Sequence, residues 1–235
     1  MTSEPQLTNR ATRRRRRTHL DLLGSLRREL AQSGVEDLTV GSVTDRADVA
    51  VGTFYNHFDD KTSALESLAQ IEAEALEISV LDMIERSNDP SPTLPRLVNA
   101  MALSVMHRAA VDPVWLDAIA ALVDARYLPT PDVVLQVHDI LSSANPGTAR
   151  EVCAWHTKAL AAVGCELVRS LRSGDLPQSL EGRIDLVLPS LLGVIGCAEP
   201  TVEDEITWAK NQPIPTEWPS TESIVAAHEG SADKA

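Results

Sequence analysis

Apolar residues recur at helical spacing along almost the whole chain, and no stretch has the strict apolar–polar alternation that is typical of a β-strand. Leu22, Leu23, Leu26 and Leu30 form the first apolar stripe, and this stripe predicts a helix that ends at Gly34. The pattern therefore predicts an all-α protein.

The rest of the chain continues as a series of helices with proline-marked starts. A capping residue stands before a proline at Asp112, Thr130 and Asn145, which is typical of the first turn of a helix. Pro189 lies inside the last long apolar stripe and is expected to kink or divide that helix. Residues 1–12 are expected to be disordered, and the tail beyond residue 220 to be mobile. The helices predicted after the first 60 residues cover 61–86, 93–110, 113–126, 131–144, 145–173, 179–195 and 202–211.

The segment Thr39–Lys61, TVGSVTDRADVAVGTFYNHFDDK, has a different pattern, which fits two short helices. Thr39 is suited to cap the first of them, and Asp48 lies at the turn that follows, where Asp tolerates left-handed backbone. Phe54 and Phe58 lie four residues apart on one side of the second, so polar side chains occupy its remaining surface. Two short helices with a tight turn, the second of them polar, form the helix-turn-helix pattern of proteins that read the DNA major groove.

This segment, and GTFYNHFDDK in particular, resembles the DNA-binding signature of the TetR family of bacterial transcriptional regulators. The resemblance implies an N-terminal three-helix helix-turn-helix DNA-binding domain and a larger C-terminal helical domain for ligand binding and dimerisation. We assign the first domain to residues 13–60, the second to residues 61–210, and an acidic, proline-containing tail to residues 211–235. Two positions depart from the family pattern: Ala50 replaces a capping Ser or Thr, and Asp48 replaces a turn glycine. These departures leave room for a weaker or altered operator preference.

The charge is distributed unevenly, which matters because a net charge of −13 would otherwise argue against a nucleic-acid partner. Residues 1–61 hold ten Lys/Arg against nine Asp/Glu, whereas residues 62–235 hold 11 against 25. Five consecutive arginines precede the first helix. They form either a solvated flexible arm or an arm that pairs with phosphates or enters the minor groove, and a neighbouring helix-turn-helix favours the second interpretation.

The resemblance implies that the DNA contacts come from the second short helix and its flanks. Thr53 and Asn56 are expected at base edges or phosphates, Tyr55 and His57 match phosphate contacts of the family, and Gly52 lets the backbone approach DNA. Lys61 lies in the first turn of its helix, against the dipole preference, and a bound phosphate would explain that position. The complete predicted set is Arg13, Arg14, Arg15, Arg16, Arg17, Thr39, Gly52, Thr53, Tyr55, Asn56, His57 and Lys61.

The middle helices carry apolar and aromatic residues with a few histidines, and in the family such residues line a ligand cavity. Each of them is also compatible with an ordinary core position. Histidines in an otherwise apolar pocket would supply polar contacts. The predicted ligand-binding residues are Met101, Val105, His107, Trp115, Ile119, His138, Leu141 and Trp155.

Two successive helices near the C-terminus are more apolar than one monomer needs. The resemblance implies that they form a four-helix bundle with their symmetry mates in a homodimer; the alternative is two core helices of a monomer. The predicted interface residues are Val152, His156, Leu160, Val163, Leu167, Leu188, Leu191, Leu192 and Ile195.

These features predict a homodimeric regulator, most simply a repressor, that leaves a palindromic double-stranded operator when a small apolar ligand binds. The alternatives are a transcriptional activator and a helical ligand-binding protein that has lost sequence-specific DNA binding. No nucleophile–base pair, phosphate loop or metal-ligand cluster is recognisable, so we expect no enzyme activity, catalytic residue, metal or cofactor. Three cysteines and the lack of a long apolar stretch predict a reducing, cytoplasmic setting without a membrane partner.

Overall fold

The structure is a computed structural model that describes residues 4–87, 93–144, 150–215 and 217–232, with most side chains described between residues 11 and 226. Within these ranges every regular element is a helix, so the predicted all-α fold is confirmed. No helix among them is long and apolar enough to cross a membrane. The helices are α1 (Glu4–Asp37), α2 (Val40–Arg46), α3 (Val51–Tyr55), α4 (Lys61–Arg86), α5 (Leu94–Val111), α6 (Pro113–Asp124), α7 (Pro131–Ala144), α8 (Arg150–Ser173), α9 (Leu180–Val194), α10 (Glu199–Lys210) and α11 (Thr221–Ala232).

Helix α1 begins at Glu4, so the expected disorder of residues 1–12 is wrong for the part that the structure describes. Arginine is a good helix former, and Pro5 stands at the helix start, where its missing N–H costs no hydrogen bond. Gly34 breaks the helical conformation with φ 72°, in the left-handed region that favours glycine. The chain turns there toward α2.

The two short helices form as predicted, but they differ at their starts. The Thr39 hydroxyl accepts a hydrogen bond from the backbone N–H of Ser42 at 3.0 Å, and the Ser42 side chain completes a capping box. Asp48 takes the predicted left-handed conformation with φ 53°. Helix α3 has no side-chain cap at Ala50 and is held instead by Phe54, which is 1% exposed.

One apolar cluster joins α1–α3, called the head, to α4–α10, called the body. Helix α1 packs along α6, so Leu22 and Leu26 share a core with Trp115 and Leu122. A second cluster lies deeper in the body, among α4, α5, α8, α9 and α10. The two assigned domains therefore share apolar packing rather than meeting through a linker.

Within residues 217–232 the tail forms a packed helix, although the sequence predicted a mobile segment there. Helix α11 packs on α4, and Ile224 and Val225 are 2% and 7% exposed in the cluster shared with the head. Burial of two adjacent β-branched residues supplies the free energy that orders this segment. Before α11, Trp218 stacks near Arg108 at 5.7 Å.

The proline-marked starts of α5, α6 and α7 are close to their predicted places, with Thr93 and Asp112 as side-chain caps. Asn145 and its proline lie outside the described residues. Helix α9 runs through Pro189 without a break, so the predicted division of this helix is wrong. Leu188, Leu191 and Leu192, buried on both sides of the proline, hold the helix in place.

Candidate nucleic-acid interface and ligand cavity

The surface of α3 and the two residues after it carry five of the twelve predicted DNA contacts. Tyr55 is 55% exposed, and Gly52 and Asn56 are also exposed, while Thr53 is half-buried. A Cβ at Gly52 would meet no protein atom within 4 Å, so nothing inside the protein requires glycine there. Neighbouring rings anchor this short helix: the Phe54 ring lies 5.5 Å from Tyr55 and 5.2 Å from Phe58. The head thus presents a polar surface on an apolar base.

A histidine pair lies at the edge of this surface. The rings of His19 and His57 are 5.5 Å apart, and His19 also packs on Phe58 at 5.1 Å. Burial and the nearby Arg15 lower the pKa of His57, and burial, His57 and Arg15 lower the pKa of His19. Both rings are therefore neutral at pH 7, and His57 is equipped to donate a neutral N–H to a phosphate.

The run of five arginines is part of α1 and not a free arm. Consecutive helical residues point about 100° apart, so five of them point to all sides of the helix and cannot all face one DNA surface. Arg16 is half-buried and donates to the Glu222 backbone carbonyl at 2.7 Å, which places it on the tail side of α1. Arg13, Arg14, Arg15 and Arg17 are exposed.

Lys61 has a structural explanation that the sequence did not suggest. Its Nζ donates to the backbone carbonyls of Val35 and Leu38, each at 3.1 Å, and so satisfies carbonyl groups after the Gly34 break. A bound phosphate is therefore not needed to explain a lysine at this helix start. Thr39, whose hydroxyl caps α2, remains exposed.

A partly open apolar cavity of about 180 Å³ lies in the body among α4, α5, α6, α7, α8 and α9. Four predicted ligand-binding residues line it: Met101, Val105, Trp115 and Ile119. Nearly all of the remaining wall is aliphatic, including Leu76, Leu97, Val98, Val134, Val137, Leu160 and Val168. Burial raises the pKa of the Cys165 thiol in this wall, which keeps it protonated and unreactive at neutral pH.

The cavity has one carboxylate in its described wall, Glu72 of α4, which is 4% exposed. The Trp115 indole Nε1 donates to Glu72 Oε2 at 2.9 Å. Arg27 of α1 and Arg108 of α5 each approach a carboxylate oxygen to 3.5 Å. Sequence reasoning missed Glu72 because a glutamate on an amphipathic helix is normally a solvated residue, and only the packing of α1 and α5 against α4 shows its role.

The other predicted ligand-binding residues lie elsewhere. His107 is fully buried but is not among the lining residues, because it lies two positions from Val105 and so about 200° around α5. Trp155 is 69% exposed, on the side of α8 opposite the lining residue Thr157. His138 is half-buried, with Nδ1 3.4 Å from the Thr157 hydroxyl, and is not part of the wall. The side chain of Leu141 lies outside the described residues.

Some of the predicted dimer-interface residues are buried within the protomer, and the others are at least partly exposed. Leu167, Leu188, Leu191 and Leu192 are buried inside one protomer, so their assignment to a surface between protomers is wrong. They pack inward because α8 and α9 cover α4 and α5 as well as each other. Val152 is 42% exposed, while His156, Leu160, Val163 and Ile195 are half-buried, with Leu160 in the cavity wall.

The head matches a known family of proteins. Residues 22–68 fit the family model described as bacterial regulatory proteins, tetR family, and this range contains α2, α3 and the predicted reading positions from Thr39 to Lys61. No protein of curated function is detectably similar in sequence.

Two solved structures with a TM-score of 0.50 or more share the fold over most of the chain. NalD from Pseudomonas aeruginosa, described as the secondary repressor of the MexAB-OprM multidrug efflux pump, aligns with TM-score 0.53 and 16% identity over 77% of this chain and 94% of its own. RolR without ligand aligns with TM-score 0.50 and 17% identity over 83% and 99%. A TetR family regulator from Marinobacter aquaeolei VT8 aligns with TM-score 0.44 and 15% identity over 82% and 93%. The head of this chain, at residues 22–68, therefore matches the family of bacterial regulatory proteins described as tetR, in agreement with the helix-turn-helix geometry described above.

Proposed function

We propose that this protein is a ligand-responsive transcriptional repressor that binds a palindromic operator as a homodimer and releases it when a small, mainly apolar ligand enters the body. The proposal rests on one arrangement: helix α4 begins at Lys61, shortly after α3 ends at Tyr55, and supplies Glu72, Ala73 and Leu76 to the wall of the cavity. A change in the cavity therefore reaches the head along a single helix.

The exposed residues of the head support the DNA-binding part of the proposed function. Tyr55, Asn56 and Gly52 are free to meet a duplex, and the neutral His57 adds a hydrogen-bond donor. Phosphate contacts position such a helix and base contacts choose the sequence. With only five residues in α3, few base contacts are available, so the operator would be recognised through two half-sites.

The wall and the volume of the cavity support the ligand-binding part of the proposed function. Its aliphatic wall favours an apolar ligand, and about 180 Å³ is more than the roughly 150 Å³ known to hold benzene in an engineered protein cavity. A ligand releases DNA only if it binds the DNA-free conformation more tightly. A 100-fold preference corresponds to about 2.7 kcal/mol, which is enough to lower operator occupancy.

The exposed apolar residues of α8 and α9 are our candidates for the dimer interface. Val152 and Trp155 on α8 and Leu186 on α9 are 42%, 69% and 52% exposed, and a second copy would cover them. Sedimentation of the wild type should show a dimer, and Trp155→Asp should shift it to monomer. A monomeric wild type would remove the dimer from the proposal.

The test of the function is fluorescence anisotropy with duplex DNA that flanks the protein's own gene and with a shuffled duplex of equal length. We expect saturable binding that prefers the native sequence at moderate salt and weakens when a cavity ligand is added. Equal affinity for both duplexes would favour the alternative of a helical ligand-binding protein without sequence-specific DNA binding, for which the uncapped start of α3 at Ala50 is the supporting observation. A reporter gene behind the bound sequence separates repressor from activator.

A further inference from the structure

Glu72 is the point where the cavity touches an ion pair that reaches the head. It lines the cavity, lies almost fully buried on α4, and faces Arg27, a residue of α1. Among the described lining residues it is the one carboxylate, so any polar group on a ligand in this cavity has few other partners. The position of Glu72 therefore connects ligand chemistry with α1.

The hydrogen-bonding capacity of Glu72 is not exhausted. A carboxylate accepts about four hydrogen bonds, and the Trp115 indole supplies one at 2.9 Å. The Arg27 and Arg108 contacts, both at 3.5 Å, are ion pairs longer than the usual hydrogen bond. A donor on a ligand thus finds an acceptor that is buried, oriented and only partly used.

The pair with Arg27 is the more exposed of the two ion pairs, since 25% of the Arg27 side chain is exposed against 9% of the Arg108 side chain. The buried Nε of Arg27 has no hydrogen-bond partner. Arg108, in contrast, is fixed between the Trp115 ring at 4.9 Å and the Trp218 ring at 5.7 Å. A competitor for Glu72 would therefore displace Arg27 more readily than Arg108.

The charges around Glu72 favour a neutral ligand. Two arginines face its carboxylate, and burial lowers the pKa of Arg108, although the nearby carboxylates of Glu72 and Asp112 act to raise it. Two positive and two negative charges already balance, and the two arginines oppose a cation in the cavity. The ligand chemistry that fits is an uncharged apolar body with one hydrogen-bond donor.

We propose that Glu72 accepts a hydrogen bond from a neutral, mainly apolar effector in competition with Arg27, so that the effector changes the position of α1 against the body through this one ion pair. The inference rests on the proposed effector site and names its ligand class and its route to α1. Because the coupling is reciprocal, DNA weakens binding of the effector by the same factor as the effector weakens binding of DNA.

The test uses two probes of the same shape, 4-ethylphenol and 4-ethyltoluene, which differ only in a hydroxyl and a methyl group. Calorimetry on the full chain should show the phenol binding about tenfold more tightly to the wild type, with the difference much reduced in Glu72→Gln. In Arg27→Gln, whose fold is checked by thermal unfolding, the phenol should bind at least about threefold more tightly than to the wild type while the affinity for 4-ethyltoluene stays unchanged. Arg28→Gln, a change at the neighbouring exposed arginine, is the matched control and should change the affinity for neither probe.

Anisotropy with the operator duplex supplies the second reading. Saturating 4-ethylphenol should raise the dissociation constant of the wild type for DNA. The ratio of the dissociation constants with and without the phenol should approach one in Arg27→Gln. Equal affinity of the two probes, or a parallel change of both in Arg27→Gln, would contradict the role of Glu72 and leave the apolar effector site standing. If neither probe binds, the ligand class is wrong. If DNA binding itself shows no sequence preference, the proposed function fails instead.

Discussion

The head and the body place their polar groups in opposite ways. In the head, buried rings support a surface whose polar residues, such as Tyr55 and Asn56, face solvent. In the body, Glu72, Asn99 and His107 are buried within the packed helices. An exposed polar surface meets a large polar partner, whereas buried polar groups respond to small changes nearby because the low dielectric strengthens their interactions. The difference assigns recognition of a polymer to one region and sensing to the other.

The largest effect should come from two adjacent rings in the head. Phe54→Ala removes a ring that is 1% exposed and should cost about 3–5 kcal/mol of the free energy of unfolding. Tyr55→Ala, at the 55% exposed neighbour, should leave stability nearly unchanged and yet lower DNA affinity at least about tenfold. Urea unfolding and anisotropy measure the two effects. Similar stability losses in both variants would show that the exposed surface of α3 is part of the core.

The body should respond to pH through His107. Burial lowers the pKa of His107 to about 4, and neither ring nitrogen has a hydrogen-bond partner. In the unfolded protein His107 takes up a proton near pH 6.5, whereas in the folded protein it does so only near pH 4. The contribution of His107 to the free energy of unfolding is therefore unaffected above pH 6.5, and the free energy falls by on the order of 2–3 kcal/mol as the pH drops toward 4. His107→Leu should remove this part of the loss, as urea unfolding at pH 7 and pH 4.5 would show. An unchanged pH dependence in the variant would mean that His107 is protonated in the folded protein.

The tail joins the two regions, so its release should have an intermediate effect. Ile224→Ala should cost about 2 kcal/mol, less than a central core residue, because α11 can detach without global unfolding. Hydrogen exchange should accelerate in α11 and in the part of α4 that it covers. Glu222→Gln, an exposed change in the same helix, should leave both unchanged. Unaltered exchange in Ile224→Ala would show that α11 does not depend on this contact.

The smallest effect concerns the missing cap of α3. Ala50→Ser should add a hydrogen bond to the start of the helix and about 0.5–1 kcal/mol of stability, as well as raising DNA affinity by fixing α3. Thr39→Ala, at the capped start of α2, should lose a similar amount. Thermal unfolding resolves both shifts. A destabilised Ala50→Ser would mean that the backbone before α3 cannot accept a capping hydroxyl.

Local signals predicted the head better than the body. The cap at Thr39, the left-handed Asp48 and the buried Phe54 depend on neighbours within a few residues, so the sequence reveals them. Contacts between distant segments were not visible in it. The ion pair of Arg27 with Glu72 joins positions 45 residues apart, and both residues have the appearance of surface charges in sequence.

The same limit explains the errors in the last helices. Apolar stripes on α8 and α9 showed that a face is buried but not whether the same chain or a second copy covers it. Among the described side chains of α11, Ile224 and Val225 are the buried ones, in a segment otherwise rich in polar and small residues. Two apolar residues are too weak a pattern to predict a packed helix.

Hydrogen–deuterium exchange of the full chain, with and without the duplex that flanks its own gene, tests most directly whether the head is the DNA-binding surface. The account predicts that DNA slows exchange in residues 39–57 and in the exposed part of α1, while the helices around the cavity keep their rates or exchange faster. Protection confined to the body, or no protection around Gly52 at saturating DNA, would contradict it.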